Sequence, residues 1–167
     1  MKFHPININR AKLAMGDFLS PQERSVRMAA VRRKDTAPEI ALRKVLHRRG
    51  LRFRLHVKTL PGTPDIVFPK YHAIVFVHGC FWHRHRECKL ATTPKNNQRF
   101  WDEKFQKNIL RDIATTKILE SLGWRVYVVW QCETSSHAKA EESGLRVARK
   151  VMQTFDYTSK NHVRGIR

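Results

Sequence analysis

Every cysteine of the chain falls in a pattern that can hold a metal ion. Cys80, His85 and Cys88 lie close together in the sequence, and Cys132 follows a later apolar run. Three thiolates and one imidazole form a tetrahedral set of ligands that suits zinc, and a set with no open position is typical of a structural site. His83 is a second candidate for the histidine ligand. The alternative is that all three cysteines are buried thiols without a metal.

A second candidate site centres on Asp65, which follows a Pro-Gly turn and begins a short apolar run. A carboxylate at the end of a strand, beside a basic surface, is what a magnesium-dependent phosphodiesterase needs, because Mg²⁺ prefers oxygen ligands and binds phosphate directly. The main-chain carbonyl of Val77, on the next apolar run, is a candidate second ligand. The alternative is that Asp65 only caps the turn.

Histidines are the candidates for proton transfer at this site. Many nucleases carry an acid and a lysine on the strand after the metal-binding aspartate, whereas here that strand ends in Phe76-Val77-His78. Histidine titrates near neutral pH, so His78 and His83 are suited to exchange protons during hydrolysis. Glu39 is a candidate for orienting a water at the metal. The alternatives are that Glu39 only caps its helix and that the histidines are structural.

Two large aromatic residues, Phe81 and Trp82, directly follow Cys80. A small metal-held loop leaves too little room to bury both rings. Such side chains can insert between base pairs and kink DNA, above all at weak steps such as mismatches. Trp101, near the start of a predicted long helix, can join them. The alternative for each ring is ordinary packing against the sheet edge.

The charge of the chain indicates a polyanionic partner. Its 167 residues include 33 Lys and Arg against 14 Asp and Glu, which gives a formal net charge of +19 and a pI near 10.7. Nucleic acid is the simplest partner for such an excess, ahead of a merely solvated basic surface or an anionic membrane. No signal peptide and no apolar run of about 20 residues is found, which predicts a cytoplasmic protein without disulfides.

The elements that must position these residues follow from capping, turn and periodicity signals. Thr36 and Glu39 form a capping box that begins a helix, and Gly50 is suited to end it. The order of elements predicts an α/β fold with a mixed β-sheet flanked by helices, in which a helical crossover makes the last two strands parallel. The other predicted elements are strands over Leu51–Val57, Asp65–Phe68, Ala73–Val77 and Trp124–Trp130, and helices over Arg99–Leu122 and 138–155.

The domain organisation is predicted to be simple. Residues 19–155 are expected to form one domain, preceded by a flexible basic extension over 1–18 and followed by a frayed tail over 156–167. The helix at 19–34 is basic, and its small apolar ridge can meet either DNA or the domain's own core. Its candidate DNA contacts are Arg24, Arg27, Met28, Val31, Arg32 and Lys34.

Taken together, these motifs resemble the very-short-patch repair (Vsr) family of DNA mismatch endonucleases. The resemblance covers roughly Leu19 to Cys132, and its most specific string is His78-Gly79-Cys80-Phe81-Trp82-His83. The other matching motifs are Arg27-Met28, Lys34-Asp35-Thr36, Pro38-Glu39, Leu60-Pro61-Gly62, Pro64-Asp65, Phe100-Trp101, Gly123-Trp124-Arg125-Val126 and Trp130-x-Cys132.

The resemblance implies a restriction-endonuclease-like fold and a specific activity. It implies a Mg²⁺-dependent enzyme that nicks one strand 5′ of the thymine in a T:G mismatch, which starts very-short-patch repair of deaminated 5-methylcytosine. The implied partner is double-stranded DNA containing that mismatch. Other mismatch-repair proteins are further candidate partners, and a monomer acting at the bacterial nucleoid is expected.

The resemblance also implies roles for individual residues. It places magnesium at Asp65 and gives His78, His83 and Glu39 a part in hydrolysis. It gives DNA contacts from the minor-groove side to the N-terminal helix with Met28 and Val31. The implied zinc ligands are Cys80, His85, Cys88 and Cys132, and the implied intercalating rings are Phe81, Trp82 and Trp101.

Two positions depart from the family pattern. Val77 stands where relatives often have Thr, which is harmless if the metal uses only the main-chain carbonyl. Gln131 stands where relatives often have Glu, which leaves the zinc motif intact. Two other functions are kept as alternatives: a zinc-stabilised DNA-binding module without catalysis, and a nuclease of the same fold with a restriction-like target.

Overall fold

The computed structural model describes residues 34–162 together with Gln22, Val26 and Arg32, with side chains described as far as Met152. Gln22 and Val26 are helical, and Arg32 is exposed. The predicted extension over 1–18 lies outside the described residues.

The predicted DNA-contacting helix is therefore described only in part. Lys34 is exposed, as is Arg32, so both are available to solvent. The roles predicted for Arg24, Arg27, Met28 and Val31 fall on residues outside the described part of the chain.

The first described helix, α1 (Ala37–Arg48), begins at the predicted capping box. Glu39 accepts hydrogen bonds from the Thr36 hydroxyl (2.8 Å) and the Thr36 backbone N–H (3.3 Å). The helix ends at Arg48, and Gly50 follows with a φ of +78°, a left-handed conformation that glycine adopts without strain. The capping-box prediction is confirmed, which fixes where Glu39 lies.

The predicted mixed sheet is confirmed. Its order is β1-β2-β3-β4, with antiparallel pairing between the first three strands and parallel pairing between the last two. The long helix α2 lies between β3 and β4 in the chain and makes the crossover that parallel pairing requires. The bounds are β1 (Arg54–Leu55), β2 (Ile66–Phe68), β3 (Ala73–His78), α2 (Gln98–Ser121) and β4 (Arg125–Trp130).

The first strand is much shorter than predicted. The alternation over Leu51–Val57 predicts seven residues with one buried face, but only Arg54–Leu55 pair with β2, and Leu55 is 41% exposed. His56 has a φ of +47°, a left-handed conformation that turns the chain away from the strand direction. The prediction for the extent of this strand is therefore wrong.

The sheet separates two apolar clusters. Ile66 pairs with Val75 and faces the layer formed by α1 and α3 (His137–His162). Val67 pairs with Ile74 on the other face, together with Leu119 of α2. A side chain at Gly144 would collide with Val45, so α1 and α3 approach each other closely. The other members of the larger cluster are Leu42, Leu46, Leu51, Phe68, Ala73, Val129, Val147, Ala148 and Val151.

The last helix is longer than predicted. It continues to His162 rather than ending at residue 155, because no glycine or proline between 152 and 162 interrupts it. It therefore reaches into the segment 156–167 that is predicted to be frayed.

This architecture, a mixed four-stranded sheet flanked by helices, is consistent with a restriction-endonuclease-like α/β fold. Among the described helices, none combines the length and apolar character needed to cross a membrane.

Candidate active site and metal centre

Parallel pairing brings two distant segments to one edge of the sheet. His78 at the end of β3 pairs with Trp130 at the end of β4. The chain then continues from β3 to Cys80 and from β4 to Cys132. The fold therefore places the fourth predicted zinc ligand beside the first three.

The four predicted zinc ligands, which we name the cysteine cluster, do come together. The donor atoms of Cys80, His85, Cys88 and Cys132 all lie within 4.8 Å of one another. His85 Nδ1 is 3.3 Å from Cys132 Sγ and 3.7 Å from Cys80 Sγ. Zinc bonds of about 2.0–2.3 Å in a tetrahedron need donors about 3.3–3.8 Å apart. The donor set and its spacing fit a zinc ion, and His85 rather than His83 belongs to the set.

The surroundings of the thiols in the cysteine cluster are such that a bound cation would stabilise their ionised forms. Burial raises the pKa of Cys132 to about 12 and also raises the pKa of Cys80. A backbone hydrogen bond from Leu90 instead lowers the pKa of Cys88. Thiolates this close repel one another unless a metal ion lies between them.

The loop that carries three of these ligands is held by Arg84. The Arg84 guanidinium donates to the carbonyls of Ala91 (2.9 Å) and Thr92 (3.0 Å), and it lies 4.5 Å from the ring centre of Phe105. The His85 ring stacks on Trp130 at 4.2 Å. These contacts attach the loop to both α2 and β4.

Asp65 lies immediately before β2, at the point where the neighbouring strand β3 ends. Its Oδ2 accepts a hydrogen bond of 2.8 Å from the backbone N–H of Val77. Burial raises the pKa of Asp65 to about 6, and the hydrogen bond from Val77 only partly opposes the shift. A half-buried carboxylate of this kind is stabilised by a nearby cation, so Asp65 fits the predicted role of metal ligand. The Val77 side chain packs against the larger apolar cluster.

Glu39 is buried, with 3% of its surface exposed. Its Oε1 accepts hydrogen bonds from Thr36, and its Oε2 accepts from the backbone N–H of Asp35 and from the guanidinium of Arg43. The capping role is therefore present. Its acceptor capacity is largely used by these partners, so its predicted part in orienting water stays a prediction.

A histidine that the sequence did not single out links the two acidic residues. His56 Nε2 lies 3.6 Å from Glu39 Oε2, and His56 Nδ1 lies 3.9 Å from Asp65 Oδ1. Arg43 Nη2 is 2.9 Å from His56 Nε2. We name Asp65, Glu39, His56 and Arg43 the carboxylate site.

The two predicted proton-transfer residues also come together. The rings of His78 and His83 stack with centres 3.9 Å apart. Burial lowers the pKa of His78 to about 4, so its ring is neutral at neutral pH. His83 Nδ1 makes a short hydrogen bond with Asp112 of α2. Burial opposes ionisation of Asp112, but the hydrogen bond and charge of His83 outweigh it and lower its pKa.

Phe81 and Trp82, which we name the wedge, pack against each other and against neighbouring rings in the described structure. Phe81 makes edge contacts with Trp82, Trp101 and Phe105 at centre distances of 5.0–5.4 Å. Phe81 and Trp82 are half-buried, whereas Trp101 is only 7% exposed. Intercalation by Trp101 therefore requires this packing to open.

A buried amide fixes the backbone of the wedge. Asn108 donates a hydrogen bond of 3.0 Å to the carbonyl of Trp82. A side chain at Gly79 would come within 3.3 Å of the Trp82 ring, so glycine there leaves room for it.

Four residues at these sites were missed by reasoning from the sequence, namely Arg43, His56, Asn108 and Asp112. Arg43 carries a signal, because it lies four residues after Glu39 on the same helix and can pair with it. The other three reach the site through long-range contacts, for which the local pattern gives no signal.

The chain is similar in sequence to known DNA endonucleases. The family model for the DNA mismatch endonuclease Vsr matches residues 16–90. The chain is 52% identical over 121 residues to the type II nicking enzyme V.XorIIP of Xanthomonas oryzae, an alignment that covers 72% of this chain and 88% of the relative.

Two further relatives are similar over most of their length. The chain is 42% identical to the type II nicking enzyme V.NmeAIP of Neisseria meningitidis, over 82% of this chain and 97% of the relative. It is 40% identical to the DNA mismatch endonuclease Vsr of Escherichia coli, over 78% of this chain and 83% of the relative. The chain therefore belongs to the Vsr family of DNA mismatch endonucleases, and it is a DNA-hydrolysing endonuclease.

Proposed function

We propose that the protein is a Mg²⁺-dependent, strand-specific mismatch endonuclease that nicks DNA 5′ of the thymine in a T:G mismatch. One observation carries the proposal. At the end of β3, the Val77 backbone N–H holds the half-buried carboxylate of Asp65, and the next residue, His78, stacks on His83. A candidate metal ligand and candidate proton-transfer groups therefore meet at one strand end.

Magnesium would be held by Asp65 and the main-chain carbonyl of Val77. A site with so few protein ligands suits Mg²⁺, which keeps several waters and binds substrate phosphates. When bound, the cation supplies positive charge to the scissile phosphate and acidifies the attacking water. The raised pKa of Asp65 supports the assignment, because the cation would offset the cost of a buried negative charge.

His83 is placed to move the proton. Asp112 binds its Nδ1, so the ring is held in one orientation and Nε2 is left for exchange with the substrate or with water. A carboxylate behind a histidine also stabilises the protonated ring that forms during the reaction.

His78 and Glu39 act as supporting groups in this proposal. With a pKa of about 4, His78 stays neutral and packs against one face of His83 rather than competing for protons. Glu39 anchors the guanidinium of Arg43 beside the carboxylate site.

The cysteine cluster holds zinc in a structural role. All four donors are used, so no position is open to a substrate. Zinc there fixes the ends of β3 and β4 to the loop that carries the wedge and His83.

Phe81 and Trp82 form the wedge that enters the base stack beside the mismatch. Unstacking a mismatched step requires less free energy than unstacking a paired one, so the wedge favours mismatches. Trp101 supports both rings and inserts only if its packing opens. The exposed Arg32 and Lys34, with the basic surface as a whole, bind the phosphate backbone.

The test uses a duplex with one T:G pair, a separate label on each strand, and Mg²⁺. We expect one nick, 5′ of the thymine, and none in a matched T:A duplex. Asp65→Asn should lower the nicking rate at least about 10³-fold, since each 1.4 kcal/mol of transition-state stabilisation is about tenfold. Glu142→Gln, an exposed acid on α3, is the matched control. Full nicking by Asp65→Asn would overturn the assignment.

A second candidate is favoured by the names of the relatives, several of which are type II nicking enzymes. On this alternative, the protein nicks a particular sequence whether or not it holds a mismatch. Equal nicking of T:G and T:A duplexes of the same sequence would support it.

A further inference from the structure

We propose that His56 is a positioning residue for nicking, which relays one hydrogen bond from Arg43 into a charge–dipole contact with the carboxylate of Asp65. In this relay Arg43 donates to His56 Nε2, and the Nδ1–H group of His56 faces Asp65 Oδ1. The inference rests on the catalytic role proposed for Asp65.

The first half of the relay is fixed by Arg43. Its Nη1 donates to Asp35 Oδ1 at 2.5 Å, and its Nη2 donates to Glu39 Oε2, so the guanidinium has one orientation. Nη2 also lies 2.9 Å from His56 Nε2. Nε2 also lies 3.4 Å from Asp35 Oδ1, but the guanidinium is the closer partner and has donors only, so we assign Nε2 as the acceptor. The ring proton therefore lies on Nδ1.

The second half of the relay reaches Asp65. His56 Nδ1 lies 3.9 Å from Asp65 Oδ1, while Oδ2 of the same carboxylate accepts from the Val77 backbone. The two oxygens thus face one donor on β3 and one on the residue that follows β1. The Nδ1–H dipole points its positive end at Oδ1 and favours this orientation of the carboxylate over rotated ones.

The backbone supports a specific placement of the ring. His56 adopts a φ of +47°, which is strained for any residue other than glycine. The turn that this conformation makes ends β1 and places the ring between the two acidic residues. Strain of this kind is often kept where a side chain must be aimed.

A metal ion is not the better explanation for the cluster. Asp35, Glu39 and His56 have donor atoms close enough to hold one. The Arg43 guanidinium, however, already contacts all three of these residues. Its positive charge would repel a cation, so the cluster acts as a relay.

The relay predicts an unusual tautomer that nuclear magnetic resonance can detect. In the wild-type protein in Mg²⁺-free buffer, ring ¹⁵N shifts should show a protonated Nδ1 and an unprotonated Nε2 for His56. The exposed His137, with 84% of its side chain accessible, is the reference. Protonation at Nε2 alone would overturn the inference, and this measurement does not depend on whether any variant folds.

A pair of variants separates positioning from simple packing. His56→Gln keeps an acceptor for Arg43 and a donor for Asp65, whereas His56→Leu keeps neither. We expect His56→Leu to lower kcat about 10–100-fold with little change in KM for DNA, since small displacements at a catalytic group have effects of this size. It should also raise the Mg²⁺ concentration needed for half-maximal rate. His56→Gln should restore the rate to within about threefold of wild type.

The outcomes distinguish this inference from the proposed function. Equal, full activity of both His56 variants overturns the relay, and so does an equal loss in both. If Asp65→Asn also nicks normally, the proposed function fails as well. If Asp65→Asn is inactive while His56→Leu is unaffected, only the relay fails. His137→Leu serves as the control for substitution of a surface histidine.

Discussion

The cysteine cluster and the carboxylate site lie near the same end of β3 but differ in how they are built. The cysteine cluster has four donors around one point and no open position. The carboxylate site offers a single half-buried candidate metal ligand, Asp65, whose partners are a backbone N–H and a histidine 3.9 Å away. A closed set of ligands adds stability when its metal binds, whereas an open site keeps an unfavourable charge for use in catalysis.

The difference predicts opposite effects on stability. Substitution in the cysteine cluster should destabilise the fold, whereas substitution of Asp65 should stabilise it while removing activity. Substitution of the wedge should affect DNA binding most. Each of the following experiments tests one part of this contrast.

The largest effect is expected from the cysteine cluster. Cys132→Ser removes one ligand and should abolish tight zinc binding, measured as zinc per chain by atomic absorption. Structural zinc contributes roughly 10 kcal/mol of apparent binding free energy, so the melting temperature should fall by more than about 10 °C. Removal of the metal by a chelator should reproduce the loss in wild type.

The control is Ser135→Ala, since Ser135 is exposed and its hydroxyl donates to the backbone carbonyl of Cys132 (2.9 Å) rather than to a donor atom of the cluster. A Cys132→Ser protein with an unchanged melting temperature and no zinc would show that the cluster does not stabilise the fold.

The same contrast explains what the sequence can predict. Three cysteines cannot all pair with one another in disulfides, so together with a nearby histidine they indicate a metal site. The parallel pairing of β3 and β4 then brings Cys132 to the others, as the predicted crossover implies. The residues alone leave His83 and His85 as alternatives, the resemblance favours His85, and the structure places His85 among the other three donors.

The carboxylate site could be predicted only in part. Asp65 and Glu39 carry local signals, a turn and a capping box. His56 reaches them because β1 ends early in a left-handed conformation, and alternation over Leu51–Val57 predicts the opposite. Asp112 lies on α2, 29 residues after His83 in the sequence, and no periodicity of the sequence indicates that the two side chains meet.

An intermediate effect is expected from the wedge. Loss of stacking costs about 1–3 kcal/mol per ring in DNA-binding proteins, so the double variant Phe81→Ala and Trp82→Ala should bind a T:G duplex about 10²-fold or more weakly. Binding to a matched duplex should change far less. Electrophoretic mobility shifts with Asp65→Asn in the background would measure both without cleavage.

Phe100→Ala is the matched control for the wedge. Phe100 is 59% exposed and contacts Trp101, but it lies outside the loop that carries Phe81 and Trp82. An equal loss for T:G and matched duplexes in the double variant would indicate that the two rings serve packing rather than mismatch recognition.

The smallest effect, and the one with the opposite sign, is expected from Asp65→Asn. The pKa of Asp65 is about 6 in the folded protein and 3.8 as a reference. At pH values between 3.8 and about 6 the folded state binds more protons than the unfolded state. The free energy of unfolding therefore falls as the pH rises through this range and is lowest above about pH 6. The charged carboxylate therefore destabilises the fold at pH 7.5.

Asn keeps an acceptor for the Val77 N–H but carries no charge. Asp65→Asn should raise the free energy of unfolding at pH 7.5 by about 1–3 kcal/mol in Mg²⁺-free buffer. This gain in stability should vanish near pH 4, where Asp65 is protonated in the wild-type protein. At pH 7.5 it should shrink when Mg²⁺ is added, because the cation stabilises only the wild-type carboxylate. Denaturant unfolding at both pH values measures the difference. A loss of stability at pH 7.5 would mean that the carboxylate is a structural group, and the contrast between an open catalytic site and a closed structural one would not hold.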